Sequence, residues 1–570
     1  MATDISRKTP ADESNPPRSV DSRLMKLDRY SSATLLALVT GWLALPLTAR
    51  GQQPANTGPQ TDGLFRKVIV AADEAVNGKL LDTLKDPMEL AVAPDGRVFY
   101  AQRDGTVKLT KPGAKESIVI AKLPVFTGLE DGLLGITLDP NFAKNNWLYL
   151  NRSLPDTFKD ENGEKAGKIR VARFTLTGDQ LDLASEKVVI EMQTQREQCC
   201  HVGGSLAFDK DGNLFVSIGD NTNPFDSDGF SPSDERPGRR PWDAQRSAAN
   251  ANSLVGKILR VTPKADGGYD IPKGNLFPPG TVGTRPEIYV MGNRNPFRIS
   301  LDPKTSYLYW GEVGPDSGSI SEKRGPAGND EINQARKPGF YGWPLFVGDN
   351  RPYAKIDFAE RQKYQSAKSA HDKAKSAYDK SVKEAAAKKL PQPEPFTAKF
   401  TMTFPTGETV FHNPEKPINN SPNNTGIKEL PPAQPAFIPY THGQSARFPV
   451  LNAGGGRTAM AGPVYYFDKN NKSATKLPAE YDHTLFIYEW SRNWIIAIHL
   501  DDNDNIAKNA DGSWKMERFC PKMTFKRPMD LELGADGCLY LIEWGTAWGN
   551  NLDTQIVRIE YTGGTATAGK

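Results

Sequence analysis

The sequence predicts an all-β fold, a β-propeller carrying one helical insertion. Three observations lead there. One strand–turn–strand phrase recurs along the chain; Gly 50 and Pro 44 favour turns over long helices; and 38% hydrophobic against 24% charged residues supplies a large core in 570 residues. The phrase reads Leu90–Tyr100 around Asp95-Gly96, Leu206–Val216 around Asp211-Gly212, and Leu531–Leu541 around Asp536-Gly537. Looser copies run Ile136–Leu150 and Ile299–Trp310. Asp-Gly between two alternating apolar runs marks a tight hairpin, because Gly takes positive φ cheaply. Hairpins in a sandwich are the alternative, but so many copies over one chain favour small sheets set radially.

In chain order, residues 1–50 read as an export signal with a long N-terminal region. Its apolar run, Ala33–Leu47, is about 15 residues, short of the ~20 that a membrane span needs. Lys26 and Arg29 precede it and small residues follow, as in a secretory leader, and a start at Met25 would give ordinary leader length. An uncleaved signal anchor is the alternative and would be the chain's one membrane contact. Both readings export the body to the periplasm or the medium. Residues 51–63 form a Pro/Gly/Gln/Thr linker and residues 64–570 the propeller. Within it, 354–435 is an insertion: Asp357 to Lys389 lacks Gly and Pro and places Ala367, Ala370, Ala374 and Ala377 at helical spacing, which predicts one helix or a helical hairpin, followed by a Pro/Asn-rich return.

The net charge of +3 offers no electrostatic footprint for nucleic acid. Four Cys make no disulfide scaffold, and without C-x-x-C-H the chain carries no c-type haem of its own. Cys199-Cys200 could form a vicinal disulfide, and Cys520 and Cys538 could bridge each other or stay apart.

Among six His, His201 stands out in Cys199-Cys200-His201-Val-Gly-Gly-Ser205, directly before an Asp-Gly hairpin. Two glycines past an imidazole at a strand entrance suit close approach by a ligand, and an imidazole suits general-base work. A satisfied structural His is the competing reading. Arg294-Asn295 offers rigid donors for a carboxylate or quinone oxygen. Gly311–Asp316, Asn329–Asn333 and Gly339–Pro344 combine carboxylates with turn carbonyls, a donor set for a hard cation such as calcium.

In this order the motifs resemble the glucose/sorbosone dehydrogenase family, soluble quinoprotein sugar dehydrogenases that use pyrroloquinoline quinone (PQQ). The resemblance rests on Asp131-Gly132-Leu-Leu-Gly135, His201-Val-Gly-Gly, Gly256–Arg260, Arg294-Asn295-Pro296, and Gly314-Pro315 through Asp330-Glu331 to Tyr341-Gly-Trp-Pro344. It implies six blades with PQQ and calcium over the channel. It implies His201 as the base, Arg294 and Asn295 against the quinone, and Arg527 and the Glu130–Asp131 pair at the cofactor. It further implies the carbonyls of Gly314 and Pro315 on one calcium, and Glu331 and Tyr341 at a second. Two departures stand out: Met529 replaces an arginine, and Ser491 replaces a cofactor-facing lysine, with Arg492 or Lys526 as the nearest substitutes. The function implied is oxidation of an aldose-type sugar hydroxyl, with electrons passing to a separate cytochrome or quinone acceptor. A non-catalytic glycan- or protein-binding propeller and a calcium-dependent, lactonase-like hydrolase are the alternatives.

Overall fold

The computed structural model describes residues 61–563, apart from 77–78, 115, 226, 228, 322–323, 400–409, 453 and 548–550. The expected export signal and most of the expected linker lie outside the described residues. Thr61–Asp62 already pairs with Phe65–Arg66, so the linker expected over 51–63 gives way to strand before its end.

Six sheets of at least four strands follow one another along the chain. Their inner strands are Pro87–Val92, Leu133–Leu138, Gly203–Phe208, Pro296–Leu301, Ala459–Tyr465 and Pro528–Leu533. Each inner strand packs against the next, and the last packs against the first, which closes a six-bladed propeller. The sixth blade is completed by the N-terminal strand Phe65–Ala72 pairing with the C-terminal strand Gln555–Tyr561. Five of the six inner hairpins are the recurring phrase, and the Asp-Gly turns place Gly96, Gly212 and Gly537 at φ of 84°, 80° and 76°. The fifth blade has no such turn; its inner strands are joined by a long connection over 466–483.

Every inner strand carries a register shift near its start, such as Pro87/Glu89, Pro296/Arg298 and Pro528/Asp530. The bulge bends the strand where the channel opens and re-aims its side chains. Three blades share a device at this mouth. Glu312, at the end of a second strand, accepts the N–H groups of Arg294 and Asn295, both at 2.6 Å. Glu489 accepts from Thr458, and Glu543 from Lys526 at 3.2 Å. The carboxylate satisfies N–H groups that have no strand partner and fixes the loop that enters each inner strand.

The insertion contains one helix, Phe358–Ala387, not a hairpin of two. Asp357 caps it, accepting the N–H of Glu360. Phe358 stacks on Phe230 at 5.5 Å. The return packs on the third blade, where Asn419 donates to the carbonyls of Gln245 and Ala249. Cys520 and Cys538 are free, buried thiols. Cys520 follows an outer strand at the mouth, whereas Cys538 lies in the Asp-Gly turn at the opposite end of the sixth blade, so no bridge joins them. Cys199 and Cys200 form a vicinal disulfide. Among the described residues no helix is long and apolar enough to cross a membrane.

Ring closure depends on Lys67, whose buried ammonium lies 3.0 Å from the buried Glu543 carboxylate and donates to the Thr524 carbonyl. Lys67→Met leaves Glu543 buried without its cation and is expected to cost about 3–5 kcal/mol in urea unfolding. Adding Glu543→Gln should recover much of that loss; an unchanged midpoint in Lys67→Met would contradict the assignment.

Candidate active site

The third blade brings the key imidazole to the mouth. His201 Nδ1 lies 2.7 Å from Asp220 Oδ1. Asp220 is fully buried and accepts from the Thr222 N–H at 2.9 Å and from Trp343 Nε1 at 2.6 Å. These donors hold the carboxylate in one orientation. It fixes the His201 ring with a proton on Nδ1, so Nε2 is left as an acceptor. The backbone makes this possible. His201 has φ 64°, and a Cβ on Gly219 would lie 2.4 Å from the His201 carbonyl. The two ends of the hairpin therefore approach more closely than any side chain at 219 would allow.

His201 opens on a cavity of 420 Å³ lined also by Arg294, Arg324, Trp343 and Tyr353. Arg294 Nη1 donates to the Val313 carbonyl at 2.8 Å, and Nη2 stands 3.7 Å from the exposed carboxylate of Asp316. Asn295 Oδ1 accepts from the Gly203 N–H at 3.1 Å, tying the fourth-blade loop to the glycines beyond His201. Glu130 accepts the His201 backbone N–H at 2.7 Å and so positions the loop. Asp131 is buried behind it, its carboxyl pushed up by burial, and it does not line the cavity. Arg527 lies elsewhere on the mouth, stacked on Trp490 and Trp544 at 4.5 and 5.5 Å, outside the cavity wall.

The expected calcium donors do not form a free set. The Pro315 carbonyl accepts from Arg457 Nη2 at 2.8 Å, and the buried Arg457 guanidinium lies 3.7 Å from Asp330. A divalent cation on Pro315 would meet that guanidinium, and like charges oppose it. Gly314 lies against the Asn329 carbonyl and donates its N–H to Asp330 at 3.2 Å. Glu331 accepts from Gly348 and Asn333, while the Tyr341 hydroxyl donates to the Gln334 carbonyl at 2.9 Å. The Glu331 and Tyr341 side chains thus serve separate partners, and at the Pro315 carbonyl the Arg457 guanidinium stands where a divalent cation would sit. The two substitutes for the missing cations are also committed. Arg492 donates to the carbonyls of Gly456, Leu451, Asn452 and Thr441, and Lys526 pairs with Asp553 at 3.2 Å. Ser491 bonds to Thr458 at 2.7 Å, and Met529 is buried in the core.

PQQ meets a better match. The His201 cavity joins two guanidiniums, an imidazole acceptor and aromatic walls, which suits a flat polyanion. Asp316, loosely held and exposed, is the group that a ligand carboxylate would displace from Arg294. The sequence reading did not single out Asp220. Its signal lies in the hairpin register: extending the Gly203–Ile218 pair by two residues puts Asp220 opposite His201.

Burial pushes the Glu489 carboxyl at this mouth up to about 7. Its proton is bound more tightly in the fold than in the unfolded chain, so the stability it contributes is present below the ordinary 4.5 and is lost as pH rises towards 7. The melting temperature is expected to fall by several degrees across that window and to fall less in Glu489→Gln. An identical slope in both proteins would contradict the assignment.

Known proteins resemble this chain in sequence and in fold. The Glucose / Sorbosone dehydrogenase family model matches residues 84–389. Aldose sugar dehydrogenase YliI of Escherichia coli (strain K12) is 30% identical over 280 residues, 48% of this chain and 63% of the relative. Quinoprotein glucose dehydrogenase B of Acinetobacter calcoaceticus is 25% identical over 334 residues, 58% of this chain and 62% of the relative. The chain thus spans about three fifths of the length of these curated relatives. The solved apo-form of the soluble aldose sugar dehydrogenase from Escherichia coli superposes with a TM-score of 0.50 at 18% identity, covering 87% of this chain and 99% of that one, which supports the shared fold. On the family match over more than half of its length, the chain belongs to the glucose/sorbosone dehydrogenase family.

Proposed function

We propose that the protein is an exported, PQQ-dependent oxidoreductase that converts a sugar hydroxyl of aldose type to a carbonyl. The observation that carries this reading is His201, held by buried Asp220 with its Nε2 free, in one cavity with Arg294. Oxidation removes a proton from the hydroxyl oxygen and a hydride from the carbon that bears it. PQQ, when bound, supplies the acceptor of the hydride and its electron pair. The chain supplies the rest. His201 Nε2 takes the hydroxyl proton as the C–H bond breaks, and Asp220 stabilises the imidazolium that forms. Arg294 presents a guanidinium to negative charge that develops on the oxidant. Trp343 orients Asp220 and, with Tyr353, supplies aromatic wall to the cavity. With no haem-attachment motif in this sequence, the electrons pass on to a separate cytochrome or quinone. Calcium is left out of this reading, because Arg457 already places positive charge at the Pro315 carbonyl.

The test is reconstitution with PQQ, followed by a panel of aldoses with an artificial electron acceptor. His201→Ala is expected to lower kcat by about 10²–10⁴, the usual worth of a positioned base. Asp220→Asn should lower it by roughly 10²-fold or more with little change in KM, because the imidazole loses its orientation and tautomer. Oxidation that persists undiminished in His201→Ala would overturn the assignment of the base. Absence of oxidation across the panel in the reconstituted protein would overturn the sugar substrate.

A further inference from the structure

The pair at the active site leaves a charge unmatched. Asp220 is fully buried, and its oxygens meet an imidazole, an indole N–H and a backbone N–H. Its one ionic contact among the described residues is His201, which carries no charge while it waits as a base. A buried carboxylate with no cation near it takes up a proton and becomes neutral. A neutral Asp220 would no longer hold the His201 proton on Nδ1.

Lys257 shows the opposite deficit. It opens the strand Lys257–Pro263, third in the same blade, is fully buried, and has no carboxylate within ion-pair distance among the described residues. Its Nζ donates to the carbonyls of Ser247, Val255 and Ala248 at 2.7, 2.9 and 3.1 Å. Three acceptors need three N–H groups, and a neutral amine has two, so the nitrogen is an ammonium. Burial draws it well below the usual lysine range, and Asp220 is the charged group that opposes this.

Backbone geometry sets the two charges side by side. Lys257 pairs with Ile218, and the Gly256 N–H donates to the Gly219 carbonyl at 2.8 Å. Asp220 and Val255 are the next residues along the two strands, and the Val255 carbonyl is one of the three that hold the ammonium. On the other side, Ser247 gives its carbonyl to Lys257 and places its hydroxyl 3.4 Å from that of Thr222, whose N–H Asp220 accepts. Lys257 does not line the His201 cavity. Other charged groups near the pair have partners of their own. Arg294 faces Asp316, Arg324 donates to the Phe230 carbonyl, and Glu130 takes the His201 backbone N–H. Arg246 also acts on Asp220, but it donates to the Arg240 and Asn221 carbonyls and has Glu164 and Asp243 as counter-charges.

We infer that Lys257 is a positioning residue for the oxidation: its ammonium is the counter-charge that keeps Asp220 ionised, and through Asp220 it fixes the His201 proton on Nδ1. A contact ion pair would take an oxygen that the imidazole or the indole uses. A cation held by carbonyls one layer behind compensates the charge and leaves both oxygens to them. The inference rests on the reading of His201 as the base, and its first test uses no substrate.

The experiment is ¹⁵N NMR of the full chain with labelled histidine, together with infrared spectroscopy of the carboxyl band, both at pH 7. The His201 signal is assigned by its loss in His201→Ala. In the wild type it is expected to show one tautomer, with the proton on Nδ1, and the difference from Asp220→Asn should contain no protonated-carboxyl band. Lys257→Gln keeps an N–H donor for the carbonyls and removes the charge. There Asp220 takes a proton from solvent: a protonated-carboxyl band should appear that is absent from Lys257→Gln/Asp220→Asn, and His201 should lose its single tautomer. After reconstitution with PQQ, Lys257→Gln should lower kcat at least tenfold with KM changed less than twofold. A wild type without sugar oxidation would overturn the proposed function, while the spectra still decide the role of Lys257. The inference is overturned if Asp220 is already protonated in the wild type, a result that needs no Lys257 variant to fold, or if folded Lys257→Gln keeps the wild-type tautomer and carboxyl spectrum.

Discussion

The structure depends on one constraint: the inner strand of each blade has an edge that faces the channel and finds no further strand. Its N–H groups must be satisfied across the seam to the next blade, by side chains. Glu89 of the first blade accepts from Ile136 of the second at 2.7 Å. Asn151 of the second donates to the Gly204 carbonyl of the third, and Ser205 of the third accepts from Ile299 of the fourth. Asp330 accepts from Ala459 of the fifth at 3.0 Å, Tyr488 of the fifth reaches Asp530, and Asp530 of the sixth accepts from Leu90 of the first at 2.7 Å. Four of the six seams are joined in this way, and a side-chain donor joins the other two, Asn151 to a carbonyl and Tyr488 to a carboxylate. Burial pushes the Glu89 and Asp530 carboxyls up, and buried Arg298, 3.7 Å from Asp530, opposes it.

The same constraint shapes the mouth. Channel side chains that satisfy backbone leave few groups to spare, so the chemistry sits where the strands begin. There a carboxylate at the end of a second strand holds the loop that enters the first, as Glu312 does for Arg294 and Asn295. In the third blade the corresponding acid is Asp220, and it turns its oxygens to an imidazole and an indole. A device that secures the fold in the fourth, fifth and sixth blades serves a proton acceptor in the third. Arg457 gives the contrasting case: it is buried against Asp330 and the Pro315 carbonyl, where its charge stands in the way of a divalent ion.

Much of this was legible in the sequence. Three Asp-Gly hairpins and two looser copies of the same phrase marked five blades, because the turn residue and the alternation are both local signals. The fifth blade hides because its inner strands are joined by the connection over 466–483, with no turn signature. His201 was legible because Gly203 and Gly204 follow it. Asp220 was not, since its role comes from hairpin register and from Trp343, distant in sequence. Arg492 read as a substitute cation, yet it is spent on four backbone carbonyls, an outcome that depends on loop conformation and not on residue type. The helix over 358–387 followed from composition and spacing alone.

The account stands on the His201 cavity as a seat for a flat polyanionic oxidant that faces a fixed imidazole. Calorimetric titration of PQQ into the full chain tests this most directly, with the Arg294→Ala protein beside it. One-to-one binding that weakens at least tenfold in Arg294→Ala is the expected result. Absence of heat at high micromolar PQQ, or binding indifferent to Arg294, would contradict it.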